Sequence, residues 1–136
     1  MLSNSRNNIF AIIFAFCFIY FLSSCGDMFA YKKNIYGNYY LVEGDAESDI
    51  SLNYKVTKGG FVQRVPARII EYAILGDTLI IAKSMQGEEI FYYVLDITKD
   101  SAFADEKSYL TGPLNEDGFY NWAKGAKAEI TFIKVR

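Results

Sequence analysis

The sequence predicts a mainly β fold of the α+β kind. We expect an antiparallel meander of six or seven short strands, forming a curled sheet or a small sandwich or barrel, with one short C-terminal helix near 115–124. Three observations carry this. "DISLNYKV" at 49–56 alternates, with Ile50, Leu52, Tyr54 and Val56 on one side and Ser51, Asn53 and Lys55 on the other. That is the pattern of a half-buried antiparallel strand. Between 67 and 96, three apolar runs are separated by the turns "GD" and "QGEE", the mark of a meander. "NEDGFYNWAKGAK" at 115–127 holds a helix start, an apolar face and a helix stop.

The elements follow in order. "MLSNSRNNIFAIIFAFCFIYFLSSC" opens the chain, with Arg6 in a polar start and an apolar run from Ile9 to Leu22. This is the outline of a signal peptide over 1–24. A retained transmembrane helix is the alternative. Fourteen helical residues rise about 21 Å, short of a hydrocarbon core of about 30 Å. Extending the run meets Ser23, Ser24, Gly26 and the charged Asp27.

Of the two cysteines, Cys17 lies in the apolar run and would leave with the leader, so Cys25 alone remains. A secreted domain with one cysteine has no internal disulfide. Cys25 is then a free thiol near a terminus or has another use. Leu22-Ser23-Ser24-Cys25, directly after the apolar run, resembles the bacterial lipobox. The resemblance implies that Leu22, Ser23 and Ser24 are recognised by the signal peptidase and that Cys25 receives a diacylglycerol on its sulfur. Serine before the cysteine departs from the more usual glycine or alanine. Each buried methylene contributes about 0.8 kcal/mol, so two or three long acyl chains hold a protein on a membrane it does not span. Gly26 rather than aspartate after the cysteine resembles the outer-membrane class in hosts with two membranes. The expected place is the cell envelope, lipid-anchored, facing the periplasm or the surface.

Residues 25–35 then form the lipidated N-terminus and a short tether, and 36–136 a single domain. About ten extended residues reach at most about 35 Å. Lys32 and Lys33 lie close to the lipid site, as solvated charges or as contacts to anionic headgroups. "GNYYLVE" at 37–43 is aromatic and branched, a strand signal. "TKGG" at 57–60 turns the chain from the alternating strand into "FVQRV" at 61–65, which Pro66 limits. "ARIIEYAIL" at 67–75 reads as a strand by its length and flanks, "TLIIAK" at 78–83 follows a tight turn, and "IFYYVLD" at 90–96 is the next strand. "YYL" at 39–41 and "FYY" at 91–93 put adjacent tyrosines on opposite sheet faces, so one of each pair is expected outward.

"ITKDSAFADEKSYLTGPL" at 97–114 has no clear period and reads as loop with short local structure. In the helix that follows, Asn115 caps the start, Glu116 and Asp117 suit its positive end, and Lys124 its negative end. Phe119, Trp122 and Ala123 form the buried face, and Gly125 is the expected stop. "AEITFIKV" at 128–135 closes the chain as a last strand.

Chemistry is sparse. The chain has no histidine, which removes the usual general base and the commonest metal ligand. Its net charge is −2, and loss of Arg6 with the leader makes it −3, which gives no basic face for nucleic acid. Gly-rich phosphate loops, CxxC and HExxH do not occur. Glu43, Asp45, Glu47 and Asp49 stand at alternate positions. A mobile acidic loop can supply calcium with oxygens, but this one lacks the glycine and distal glutamate of an EF-hand, and a solvated loop explains it as well. No cofactor is expected beyond the covalent lipid on Cys25, and no enzyme activity.

"YGNYYL", "AILGDTLIIAK", "IFYYVLD" and "GPLNEDGF", spread over 36–119, together resemble a group of small bacterial lipoproteins known only as a domain of unknown function. The resemblance rests on apolar patterns with a few turn residues, and it transfers no activity. The expected function is a membrane-anchored lipoprotein whose small domain binds a protein or envelope component without catalysis. The alternatives are an envelope inhibitor or immunity lipoprotein against a toxin or hydrolase, and a lipoprotein that binds a small ligand or calcium.

Overall fold

A computed structural model describes residues 31–44, 49–56 and 60–136. The first four strands are β1 (Lys32–Tyr36), β2 (Tyr39–Glu43), β3 (Ile50–Lys55) and β4 (Phe61–Val65). They lie in chain order as one antiparallel sheet. Gly37, at φ 50°, makes the two-residue link from β1 to β2, a backbone state that costs glycine little. The second sheet holds β5 (Ile69–Leu75), β6 (Leu79–Gln86), β7 (Glu89–Asp96), β8 (Leu110–Leu114) and β9 (Ile133–Lys134), in the order β8-β7-β6-β5-β9. A single turn of helix, α1 (Glu106–Tyr109), precedes β8, and α2 (Glu116–Ala126) follows it.

The fold is mainly β with a late helix, as the alternation and turns predict. The two sheets do not close into a barrel. Their inner faces meet in one core: Tyr39, Leu41, Ile50, Leu52 and Val65 from the first sheet, Ile69, Tyr72, Ile80, Ala82, Tyr93 and Leu95 from the second. Burying each large side chain of this kind contributes about 1.5–3 kcal/mol. The second sheet is apolar on its outer face too. Ala73, Ile81, Tyr92 and Val94 are buried there beneath Phe119 of α2. The Phe119 ring stacks on Tyr92 with centroids 4.1 Å apart and planes 3° apart. Asn115 caps α2 by accepting from the Gly118 N–H at 2.8 Å.

Several expectations are corrected. The last residues of the proposed tether are not tether: β1 starts at Lys32, and the compact unit runs from Tyr31 to Arg136. Strand β1 pairs with the edge of β2, whose N–H and C=O groups would otherwise lack partners. The stretch 97–114 ends in α1 and β8. Strand β8 escapes the period rule because "LTGPL" pairs irregularly with β7, and Gly112, at φ 136°, approaches Tyr92 too closely for any side chain. Helix α2 runs through Gly125 and stops at Lys127, which takes the left-handed conformation at φ 50°. The final strand is only Ile133–Lys134. Tyr92 and Tyr93 are both buried at 5% exposure, because α2 covers the face where one was expected to meet water. With β1 and β8 added to the seven expected, the described residues contain nine strands.

Candidate functional site

The sandwich has two distinct ends. At one, the Glu43 N–H donates to Tyr31 O at 3.0 Å, so the described chain begins beside the end of β2. At the other, the Tyr36 hydroxyl donates to Asp77 at 3.0 Å and the Tyr39 hydroxyl to Asp100 at 2.9 Å. The loop from Ile97 to Asp105 belongs to this second end.

Arg64 organises that loop. Leu52 pairs with Val65 and Asn53 with Gln63, so Arg64 is the extra residue of a bulge in β4. A bulge re-aims side chains, and here both Arg64 and Val65 are buried. Arg64 Nε donates to Asp100 Oδ2 at 2.8 Å, and Nη2 donates to the Ser101 carbonyl at 2.7 Å. The two charged side chains are 3% and 0% exposed. The guanidinium lies 5.1 Å from the ring centre of Tyr54 and 4.9 Å from that of Tyr109, within cation–π range. Burial works against the Arg64 charge, but the hydrogen bond and charge of Asp100 outweigh it and hold the proton more firmly than usual. Burial, then the Asp100 hydrogen bond, pushes the Tyr39 phenol far above its ordinary range.

The rest of the loop is fixed by short-range bonds. The Thr98 N–H and hydroxyl both donate to Asp96 Oδ1, at 3.0 and 2.6 Å, and Lys99 pairs with the same carboxylate at 2.9 Å. The Thr98 hydroxyl first, then Lys99, lowers the Asp96 pKa below the usual carboxylate range. The Ala104 N–H donates to Ser101 O at 3.1 Å. On this tied-down segment Phe103 is 99% exposed. A single exposed aromatic is common on a protein surface; Phe103 differs in that the loop presenting it is held by the buried Arg64–Asp100 pair.

A cleft of ≈ 380 Å³ opens next to the edge strands β4 and β8, lined among others by Gln63, Arg64, Tyr93, Glu106 and Pro113. Its arginine is already committed to Asp100 and Ser101. No nucleophile there is paired with a base among the described residues. The arrangement holds a loop in place.

The sequence-predicted site residues are dispersed. Leu22, Ser23, Ser24, Cys25, Asp45 and Glu47 lie outside the described residues. Glu43 is not in a loop: it ends β2, is 4% exposed, and accepts from both Arg136 nitrogens at 3.2 Å. Asp49 is exposed immediately before β3, where its carbonyl accepts from the Gly44 N–H at 3.0 Å. Among the described residues, no three His, Cys, Asp or Glu side chains could hold a metal ion together, and no helix is long and apolar enough to cross a membrane. The Arg64–Asp100 pair and Phe103 went unread, because no motif links residues 36 positions apart and 97–114 lacks a period. Phe103, the one large apolar residue between Ile97 and Tyr109, was the one available signal. No protein-family model, no curated protein and no solved structure matches this chain.

Proposed function

We propose that this chain is a bacterial lipoprotein, anchored through acylated Cys25, whose β-sandwich binds a protein or envelope component without catalysis. The observation that carries the binding reading is Phe103, 99% exposed on a loop fixed by a buried ion pair. The loop lies at the end of the sandwich remote from Tyr31. An anchor that joins the domain just before Tyr31 is attached at the opposite end of β1 and leaves the Phe103 loop uncovered. The anchoring reading rests on the lipobox residues and the apolar leader.

A photo-crosslinking amino acid at position 103 tests the reading in intact envelopes. A discrete crosslinked protein is expected there and is lost when the crosslinker is moved to Asn121. Metabolic labelling with a palmitate analogue tests the anchor. No label on the wild type, or unchanged label on Cys25→Ala, rejects it.

An inhibitor or immunity protein is the second reading. A rigid, protruding aromatic suits insertion into the cleft of an arriving toxin or hydrolase. A crosslinked partner that is an enzyme, with activity restored by Phe103→Ala, selects this reading over a structural partner.

A further inference from the structure

We propose that the outer face of the first sheet is a membrane-contact surface that lies against anionic lipid headgroups. The proposal rests on the lipid-anchored reading above. Strand pairing puts Lys32, Tyr40, Lys55, Phe61 and Gln63 on this face, around Val42 and Asn53, which are buried. Tyr40 and Phe61 pack edge to face, with ring centres 5.5 Å apart. Lys32 Nζ lies 5.8 Å from the Tyr40 ring centre and 5.1 Å from that of Phe61, and Lys55 Nζ lies 5.8 Å from Tyr40.

The described part of the face therefore carries two cations and two aromatic rings, and its strand positions include no acid, in a chain that is acidic overall. Lysine beside tyrosine and phenylalanine is the combination that suits a headgroup layer, where rings sit at the apolar boundary and ammonium groups meet phosphates. The outer face of the second sheet is occupied by α2. The helices make their main contacts with strands of that second sheet.

Position strengthens the charge argument. Lys32 opens β1 only seven residues after Cys25. Seven extended residues reach at most about 25 Å, so the acyl chains hold this face within a short reach of the bilayer. Such a tether makes docking effectively intramolecular, and weak headgroup contacts then suffice.

The test uses the native acylated protein in vesicles whose lipids carry a spin-label quencher. With Cys25 acylated and Cys17 removed, a single introduced cysteine takes a fluorescent label. Gln63→Cys reports the proposed face, and Asn121→Cys reports α2. In phosphatidylcholine vesicles containing phosphatidylglycerol, the label at 63 is expected to be quenched more strongly than the label at 121. High salt should weaken that difference, and pure phosphatidylcholine or Lys32→Glu with Lys55→Glu should abolish it. Salt and lipid arms use the unaltered charges, so a misfolded double variant does not decide the outcome.

Equal quenching at both positions, or a difference insensitive to salt and to anionic lipid, overturns the proposal. So does a response at position 63 to soluble cell-wall glycan in place of lipid. Intact mass and labelling of the protein without introduced cysteine separate the two readings. An unacylated product that labels at Cys25 defeats the anchor itself, whereas an acylated protein with equal quenching defeats only the docking face.

Discussion

Arg64 Nε lies 2.8 Å from Asp100 Oδ2 and ties the edge strand of one sheet to the loop that leaves the other. Removing two charges from water costs several kcal/mol each, which an isolated buried pair barely recovers. Here the Tyr39 hydroxyl and the Ser101 carbonyl take part as well. Asp100 Oδ1 is buried with no hydrogen-bond partner among the described residues. Such a pair holds geometry more than it adds stability, and the geometry held is that of the Phe103 loop.

Breaking the pair on one side should therefore be severe. Asp100→Ala leaves Arg64 buried and unpaired and is expected to destabilise the fold by about 3–5 kcal/mol. Arg64→Met with Asp100→Leu should recover much of that loss. Urea midpoints of the three proteins check this, and an equally damaged double variant would show that the pair does more than satisfy itself.

Tyr39 sets an alkaline limit. Its phenol is held far above the ordinary value of 10.0, first by burial and then by Asp100. The unfolded chain releases that proton near 10 and the folded chain keeps it. The contribution is whole below pH 10 and is lost as the pH rises past it. Tyr92 and Tyr109, raised chiefly by burial, act in the same direction. Tyr39→Phe should cost about 1–3 kcal/mol at neutral pH and make the alkaline fall shallower. Denaturant melts across that range measure both effects.

Phe119 is 2% exposed and stacks on Tyr92. Phe119→Ala is expected to cost about 3–5 kcal/mol. The emission of Trp122, 5.8 Å from the Phe119 ring, should shift as α2 loosens. An unchanged thermal midpoint would mean that α2 is not needed to seal the second sheet.

The Asn115 side chain satisfies one orphan N–H at the start of α2. Asn115→Ala should cost about 1 kcal/mol, and Asn115→Asp much less. Calorimetry of the pair distinguishes a cap from a simple surface contact.

Phe103 should behave in the opposite way. Phe103→Ala is expected to leave stability within about 0.5 kcal/mol of wild type, since the ring touches almost nothing. The same change should abolish the crosslinked product expected under the proposed function. A substantial loss of stability would mean that the ring belongs to the fold.

The β class was legible because alternation at Ile50, Leu52 and Tyr54 has one structural meaning at a half-buried sheet. The α2 cap was legible because Asn115 acts within its own turn. Both signals are local. The continuous apolar runs in β6 and β7, such as "LIIA" and "YYVL", show that both faces of those strands are buried, but not that the helix that follows β8 covers one of them. The acidic spacing at 43–49 misled for a related reason: Glu43 lies in a strand and meets Arg136, 93 positions away.

Thus the chain's own order of residues determines the strand class, most of the turns and the late helix, all set by neighbours within a few positions. Tertiary structure alone decided that Arg64 bulges inward to meet Asp100, that Tyr92 lies under Phe119, and that Phe103 is left in water. Those outcomes depend on which buried charges and rings meet across two sheets. Long-range pairing of that kind follows from packing and desolvation, and no local pattern encodes it.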